Sequence, residues 1–191
     1  MDVKQKFVEG VETTKSLTGL SQNDFDLLKE VAPQARQWGT GFVKSFYDTL
    51  YTHHRTAAVF HSNEREEREK TLERWYQSLF DVDNDDDFLR SQARIGLVHI
   101  RRHVHNQFMI GIAVKLCATF QTKAIETFGP QRGNEVAQAF DRVIHAVVGL
   151  TAEGYEMMSK IAFSESTGAG PALIDRLIQE SVDEVEADLL G

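Results

Sequence analysis

The stretch Asn134–Phe163, NEVAQAFDRVIHAVVGLTAEGYEMMSKIAF, decides the fold class. Val136, Phe140, Val143, Val147, Thr151, Tyr155, Met158 and Ala162 recur at steps of three or four. At about 3.6 residues per turn, that spacing gathers them into one stripe of a long helix. Gly129-Pro130 stops the element before it, and Asn134 marks the expected start. Val143, Val147, Leu150 and Met157 give this helix more apolar surface than one core-facing stripe requires.

The neighbouring segments read the same way. Phe108, Ile112, Leu116 and Phe120 repeat the pattern, and with Ile110, Val114 and Cys117 added the segment is apolar on most sides. It is expected deep in the fold. An earlier helix starts after Ser21 and carries Phe25, Leu28 and Val31. Pro33 opens the next, since proline is tolerated in a first turn, and that helix carries Phe42, Phe46, Leu50 and Tyr51. Glu64–Phe80 is expected as a charged amphipathic helix with Leu72, Trp75 and Leu79 on one face. Asp81–Asp87 reads as an acidic turn and Phe88–Val104 as another helix. No segment alternates with period two, and no Asn-Gly or Asp-Gly hairpin sits between apolar runs. The class is all-α.

The 191 residues suit one domain with or without an appendage, and can bury a core without staples. The single cysteine, Cys117, excludes an intrachain disulfide and a Cys-rich zinc module; it reads as a small core hydrophobe. A net charge of −8 argues against duplex nucleic acid as a partner. No uninterrupted apolar run reaches about 18 residues, so no membrane span is expected. The opening MDVKQKFVEG lacks the apolar core of a signal peptide, and a cytoplasmic location is expected.

Composition shifts at Phe163. Ser164–Gly170, SESTGAG, reads as a flexible joint. Pro171 restarts a helix in which Ile174, Ile178, Val182, Val185 and Leu189 approach a heptad seam above an acidic face. A lone helix of this length is marginal in water, so its stripe wants a partner and the segment reads as a connector. The expected division is an N-terminal extension helix over 1–20, the main domain over 21–163, and linker plus connector over 164–191.

The most unusual stretch is Arg94–Gly111, RIGLVHIRRHVHNQFMIG, which holds His99, His103 and His105. His99 and His103 are four apart, as two zinc ligands on one helix face would be, but no third ligand is spaced to join them. RRHVH makes a local basic patch. A buried, hydrogen-bonded core histidine is the plain reading of His99. The remaining reading is an axial ligand to a metal macrocycle. The imidazole stands among Ile95, Leu97, Val98 and Val104, and Gly96, one turn earlier, leaves room for a flat ring. The residues alone leave these readings open.

Three stretches, FYDTLYTHHRTAAVF (46–60), LERWYQSLF (72–80) and RIGLVHIRRHV (94–104), resemble the bacterial globin-coupled sensors. These are haem globins fused to outputs such as diguanylate cyclases, histidine kinases and chemotaxis transducers. The likeness spans roughly residues 20–160 and includes the proximal pattern met by Ile95, Gly96, His99, Arg101, Val104, Phe108 and Gly111. It implies a sensor-type globin fold and haem b, iron protoporphyrin IX, with His99 on the iron and Tyr47 as distal donor to bound O2. CO, NO, cyanide and imidazole are further expected ligands. Phe42, Phe60, Leu72, Ile95, Val104, Phe108 and Ile112 are the expected pocket walls. Two departures stand out. The family's usual glycine four residues after the proximal ligand is His103 here. The Tyr that some members carry ten residues after it is Met109, so the second imidazole nitrogen must use a backbone carbonyl or water. Counting back from Trp75 places either Arg68 or Leu72 near the iron.

The function expected from the resemblance is a gas sensor without catalytic activity of its own, signalling through a homodimer. In that dimer the 134–163 helix and part of 108–128 would pack on a second copy as four helices. The alternative is a stand-alone globin that carries oxygen or oxidises nitric oxide. The connector helix favours the sensor.

Overall fold

The computed structural model describes residues 3–61 and 63–190. Residues 1–2 and 191, at the ends of the expected first and last segments, lie outside it. Every regular element among the described residues is helical: α1 (Val3–Thr18), α2 (Gln22–Glu30), α3 (Ala32–Ala35), a 3-10 turn (Arg36–Trp38), α4 (Gly39–Thr52), α5 (His54–Ala57), α6 (Arg65–Ser78), α7 (Asp85–Arg101), α8 (Asn106–Phe128), α9 (Pro130–Thr167) and α10 (Pro171–Leu190). The all-α expectation holds.

Several boundaries move for identifiable reasons. Pro130 opens α9 rather than merely ending α8, because Gly129 turns the chain at φ 78° and proline suits the first helical position. The 38-residue α9 is therefore longer than expected, about 57 Å at 1.5 Å per residue. It also runs past Phe163 to Thr167, where Gly168 at φ 73° ends it. The helix begun by Pro33 breaks at the 3-10 turn before α4. The acidic run is partly helix: Asn84 accepts the Asp87 N–H at 3.1 Å, and Asp85, Asp86 and Asp87 fill the first turn of α7, where carboxylates complement the helix dipole. The expected cap at Ser21 is present, with the Ser21 N–H donating to Asp24 Oδ2 at 2.9 Å.

The α8–α9 hairpin is the base of the fold. A Cβ at Gly133 would lie 2.5 Å from Ile125 Cα and 2.7 Å from the Ala124 carbonyl oxygen, so only glycine lets the helices approach this closely. Phe120 and Phe140 stack across them with centroids 3.9 Å apart. Arg142 of α9 holds buried Asp24 of α2 at 2.5 Å, and Lys15 of α1 reaches Asp86 of α7 at 2.7 Å.

Two expectations about exposure are overturned. Val143, Leu150 and Met157 are buried within their own chain and offer no surface to a second copy, whereas Val147 is half-buried. The open apolar side lies on α8, where Ile110 is 54% and Val114 64% exposed, so that helix is not enclosed as expected. By length and composition alone α8 is apolar enough to cross a membrane, contrary to the reading from apolar runs, although a third of its most apolar window is buried in the fold. On α10, Ile174 is buried, whereas Ile178, Val182, Val185 and Leu189 are exposed.

Gly133→Ala should cost about 1–3 kcal/mol, because backbone and not a side-chain tip must give way. Gly149→Ala, in the same helix with nothing near its Cβ, should instead gain up to about 1 kcal/mol. Denaturant midpoints of the two variants check the contrast.

Candidate functional site

His99 sits in the last turn of α7, and its Nδ1 is enclosed without a hydrogen-bond partner. Burial lowers its pKa, which keeps the imidazole neutral with a lone pair to give. Gly96, one turn earlier, does not leave space for a ring. It faces α9, where a Cβ would meet Thr151 Cα at 3.4 Å and its carbonyl oxygen at 3.5 Å. The glycine serves helix packing, and it holds the His99 turn against α9. After Arg101 the chain reverses through His103, a non-glycine residue at φ 54°. The Val104 N–H closes the turn on the His99 carbonyl at 3.0 Å. The turn expected from the missing glycine therefore forms in glycine's own conformation.

Tyr47 of α4 is buried, without a wet tip. Its hydroxyl donates to the Arg68 carbonyl of α6 at 3.1 Å, and desolvation raises its pKa far above the ordinary phenol value. Phe60 and Tyr51 close around it, with Phe60 at 5.8 Å and Tyr51 at 6.4 Å between centroids. The first turn of α6 is thus the part that faces Tyr47. Arg68 contributes its backbone there, while its guanidinium turns to Glu64 at 3.4 Å. Leu72, one turn on, is partly buried against the core.

The other expected walls divide. Phe60 joins Tyr47. Phe42 contacts Tyr76 at 4.8 Å and Phe140 at 5.9 Å, and so belongs to the core between α4, α6 and α9. Ile95, Val104, Phe108 and Ile112 are half-buried. Trp38 and Trp75 are core aromatics, Trp38 edge-on to Phe120 and Trp75 donating to Gln92 at 2.9 Å. Cys117 is buried, and burial pushes its thiol pKa up. Among the described residues no group of three metal-binding side chains forms, which fits a ligand set of one imidazole and not a zinc site.

Two features escape a linear reading. The first is a bidentate ion pair: Arg102, just after α7, holds Glu64, just before α6, at 2.8 and 3.1 Å. The Arg102 guanidinium draws the Glu64 carboxyl from an ordinary 4.5 to about 2. The pair straps the helix that faces Tyr47 to the turn that follows His99. The second is a cleft between α5 and the α7–α8 corner, lined by His54, Arg55, Ala58, Val59, His61, Arg101, Arg102, His103, His105 and Phe108. No lining residue is a carboxylate, although the chain as a whole is acidic. The RRHVH patch was visible in the sequence. Its meeting with His54, Arg55 and His61 needed the fold.

Comparison with known families now bears on this geometry. A family model described as Protoglobin matches residues 9–160, most of the chain and all of the site. No curated protein matches the sequence.

Because the Glu64 carboxyl has a depressed pKa when folded, its ion pair stabilises the fold at pH above about 4.5 and is lost as pH falls toward about 2. Thermal unfolding of Glu64→Gln should begin at lower temperature than wild type near pH 7. The two curves should converge as acid protonates Glu64. A gap that persists at pH 2 would assign the difference to something other than this charge.

Proposed function

Because this chain belongs to the protoglobin family, and is a haem-binding globin that takes gas ligands such as oxygen, we propose that it is a haem b oxygen-sensor module acting through a homodimer. The observation that carries the assignment of the iron is His99, half-buried and neutral, with an enclosed Nδ1 that has no hydrogen-bond partner, at the end of α7. A haem held by His99 would supply a ferrous iron able to take a gas ligand. The cationic cleft beside the α7–α8 corner suits the two carboxylates that edge a porphyrin. The unpartnered imidazole fits the group, and the cleft at the same corner offers Arg55 and Arg101 to its carboxylates.

Tyr47 supplies the distal selectivity. Its hydroxyl has one proton to donate, and that proton rests on the Arg68 carbonyl. Turning it toward a gas molecule exchanges one hydrogen bond for another. A hydroxyl donor at Tyr47 would favour oxygen over carbon monoxide, which gains little from a hydrogen bond. Tyr47→Phe should therefore speed oxygen release by roughly fivefold to thirtyfold, the equivalent of about 1–2 kcal/mol. Carbon monoxide release should change far less. Equal changes for both gases in stopped-flow displacement would leave Tyr47 a wall residue only.

The sensor reading, with no catalytic step of its own, is favoured over a stand-alone carrier or nitric-oxide oxidase by α10. Beyond Ile174 this helix presents an unpartnered apolar seam after a glycine joint, which a carrier has no use for. The expected outputs are a cyclase, a histidine kinase or a chemotaxis transducer, in a cytoplasmic protein. In the dimer, the open side of α8 replaces the buried valines as the contact, with Ile110 and Val114 at its centre. Sedimentation at micromolar concentration should give a dimer for residues 1–191 and a monomer for Val114→Glu. A monomeric unmutated chain would contradict this assembly.

A further inference from the structure

Among the described residues three buried side-chain polar atoms lack a hydrogen-bond partner: His99 Nδ1, Asn106 Oδ1 and Asp141 Oδ1. Buried polar groups are nearly always satisfied, so each orphan asks for an explanation. Two of the three flank one corner. His99 is in the last turn of α7, and Asn106 is the first residue of α8. Between them His103, at φ 54°, reverses the chain, and the Val104 N–H is bound to the His99 carbonyl at 3.0 Å. The end of α7 and the start of α8 are thus joined by one tight turn, with the two unpartnered atoms at its two ends.

The two orphans are complementary. A neutral imidazole that uses Nε2 as a ligand carries its proton on Nδ1 and is a donor there. The Asn106 amide oxygen is an acceptor. The usual intrahelical escape is open to a helical histidine in this chain: His145 Nδ1 lies 2.7 Å from the Asp141 carbonyl, one turn back. His99 does not take it. No backbone carbonyl or side chain accepts from its Nδ1, so the expectation of a backbone acceptor is unmet.

We propose that Asn106 is the positioning residue for the proximal ligand: its Oδ1 accepts the His99 Nδ1 proton when iron engages Nε2. This inference rests on the reading of His99 as the iron ligand. The hydrogen bond would fix the tautomer, set the ring's rotation about its bond to α7, and make the imidazole a stronger donor to the metal. It would also tie the ligand to α8, the helix whose open side is the proposed dimer contact. A shift of the ring would then pull on the first turn of that helix.

The test uses the 1–191 chain loaded with haem, reduced and free of gas, in wild-type, Asn106→Leu and Asn106→Asp forms. Resonance Raman reads the iron–imidazole stretch, which rises as Nδ1 bonds to a stronger acceptor. Asn106→Leu should lower the frequency, and Asn106→Asp, a charged acceptor, should raise it above wild type. Transfer of haem to an excess of competing apoprotein should show affinity reduced by about tenfold to a hundredfold in Asn106→Leu. A purely structural role would move unfolding temperature in both variants without ordering the frequencies in this way. Should Asn106→Leu not fold, the upward shift in Asn106→Asp decides the matter alone. Loaded proteins with one common frequency would overturn the role of Asn106 and leave His99 in place. A wild-type chain that takes up no haem would overturn both.

Discussion

The close crossing of α7 over α9, at Gly96 and Thr151, is the constraint on which the site depends. A Cβ on Gly96 would stand 3.4 Å from Thr151 Cα, so the two helices are in van der Waals contact at this point. His99 follows three residues later, so its direction on the helix is set by that contact at about 100° per residue. The footing of α9 is equally firm. Gly133 brings it onto α8, the Phe120–Phe140 stack fills the seam, and the Arg142–Asp24 pair pins α2 to its flank. A ligand carried on α7 therefore has a reference frame spread over four helices. Any displacement of it loads the α8–α9 pair.

Around that frame the polar connections cross between elements and do not run along them. The Tyr47 hydroxyl joins α4 to α6, and the Glu64–Arg102 pair joins the start of α6 to the end of α7. The charge of Arg102 also acts on the Tyr47 hydroxyl. Arg102, three residues from His99, is thus the side chain that ties the α7 corner to the start of α6. The same corner stores strain: a non-glycine residue in the left-handed region, as His103 is, costs about 1–2 kcal/mol.

The long helices and their order were legible in the sequence because the 3.6-residue period is a local property, plain at Val136 through Ala162 and again at Phe108 through Phe120; the short α5 and the break before α4 were not. His99 and Tyr47 were singled out by the resemblance of the motifs that surround them, and the fold adds the enclosed Nδ1 of one and the buried hydroxyl of the other. What Gly96 does was not, because the same missing side chain serves a ring or a neighbouring helix, and only the packing partner tells which. The burial of Val143, Leu150 and Met157 was likewise hidden: α9 is in contact with α7, α8, α1 and α2, so more than one stripe of its apolar surface is covered. The Glu64–Arg102 strap and the cationic cleft join residues tens of positions apart and carry no local signature.

The account stands on a single claim, that His99 alone holds an iron porphyrin in this chain. Absorption spectroscopy of the purified chain and of His99→Ala, reduced in air and again with added imidazole, tests it most directly. The account predicts a Soret band with oxy-ferrous visible bands for the unmutated chain, little bound haem in His99→Ala, and recovery when imidazole fills the vacant position. Full haem occupancy and an unchanged spectrum in His99→Ala would contradict it.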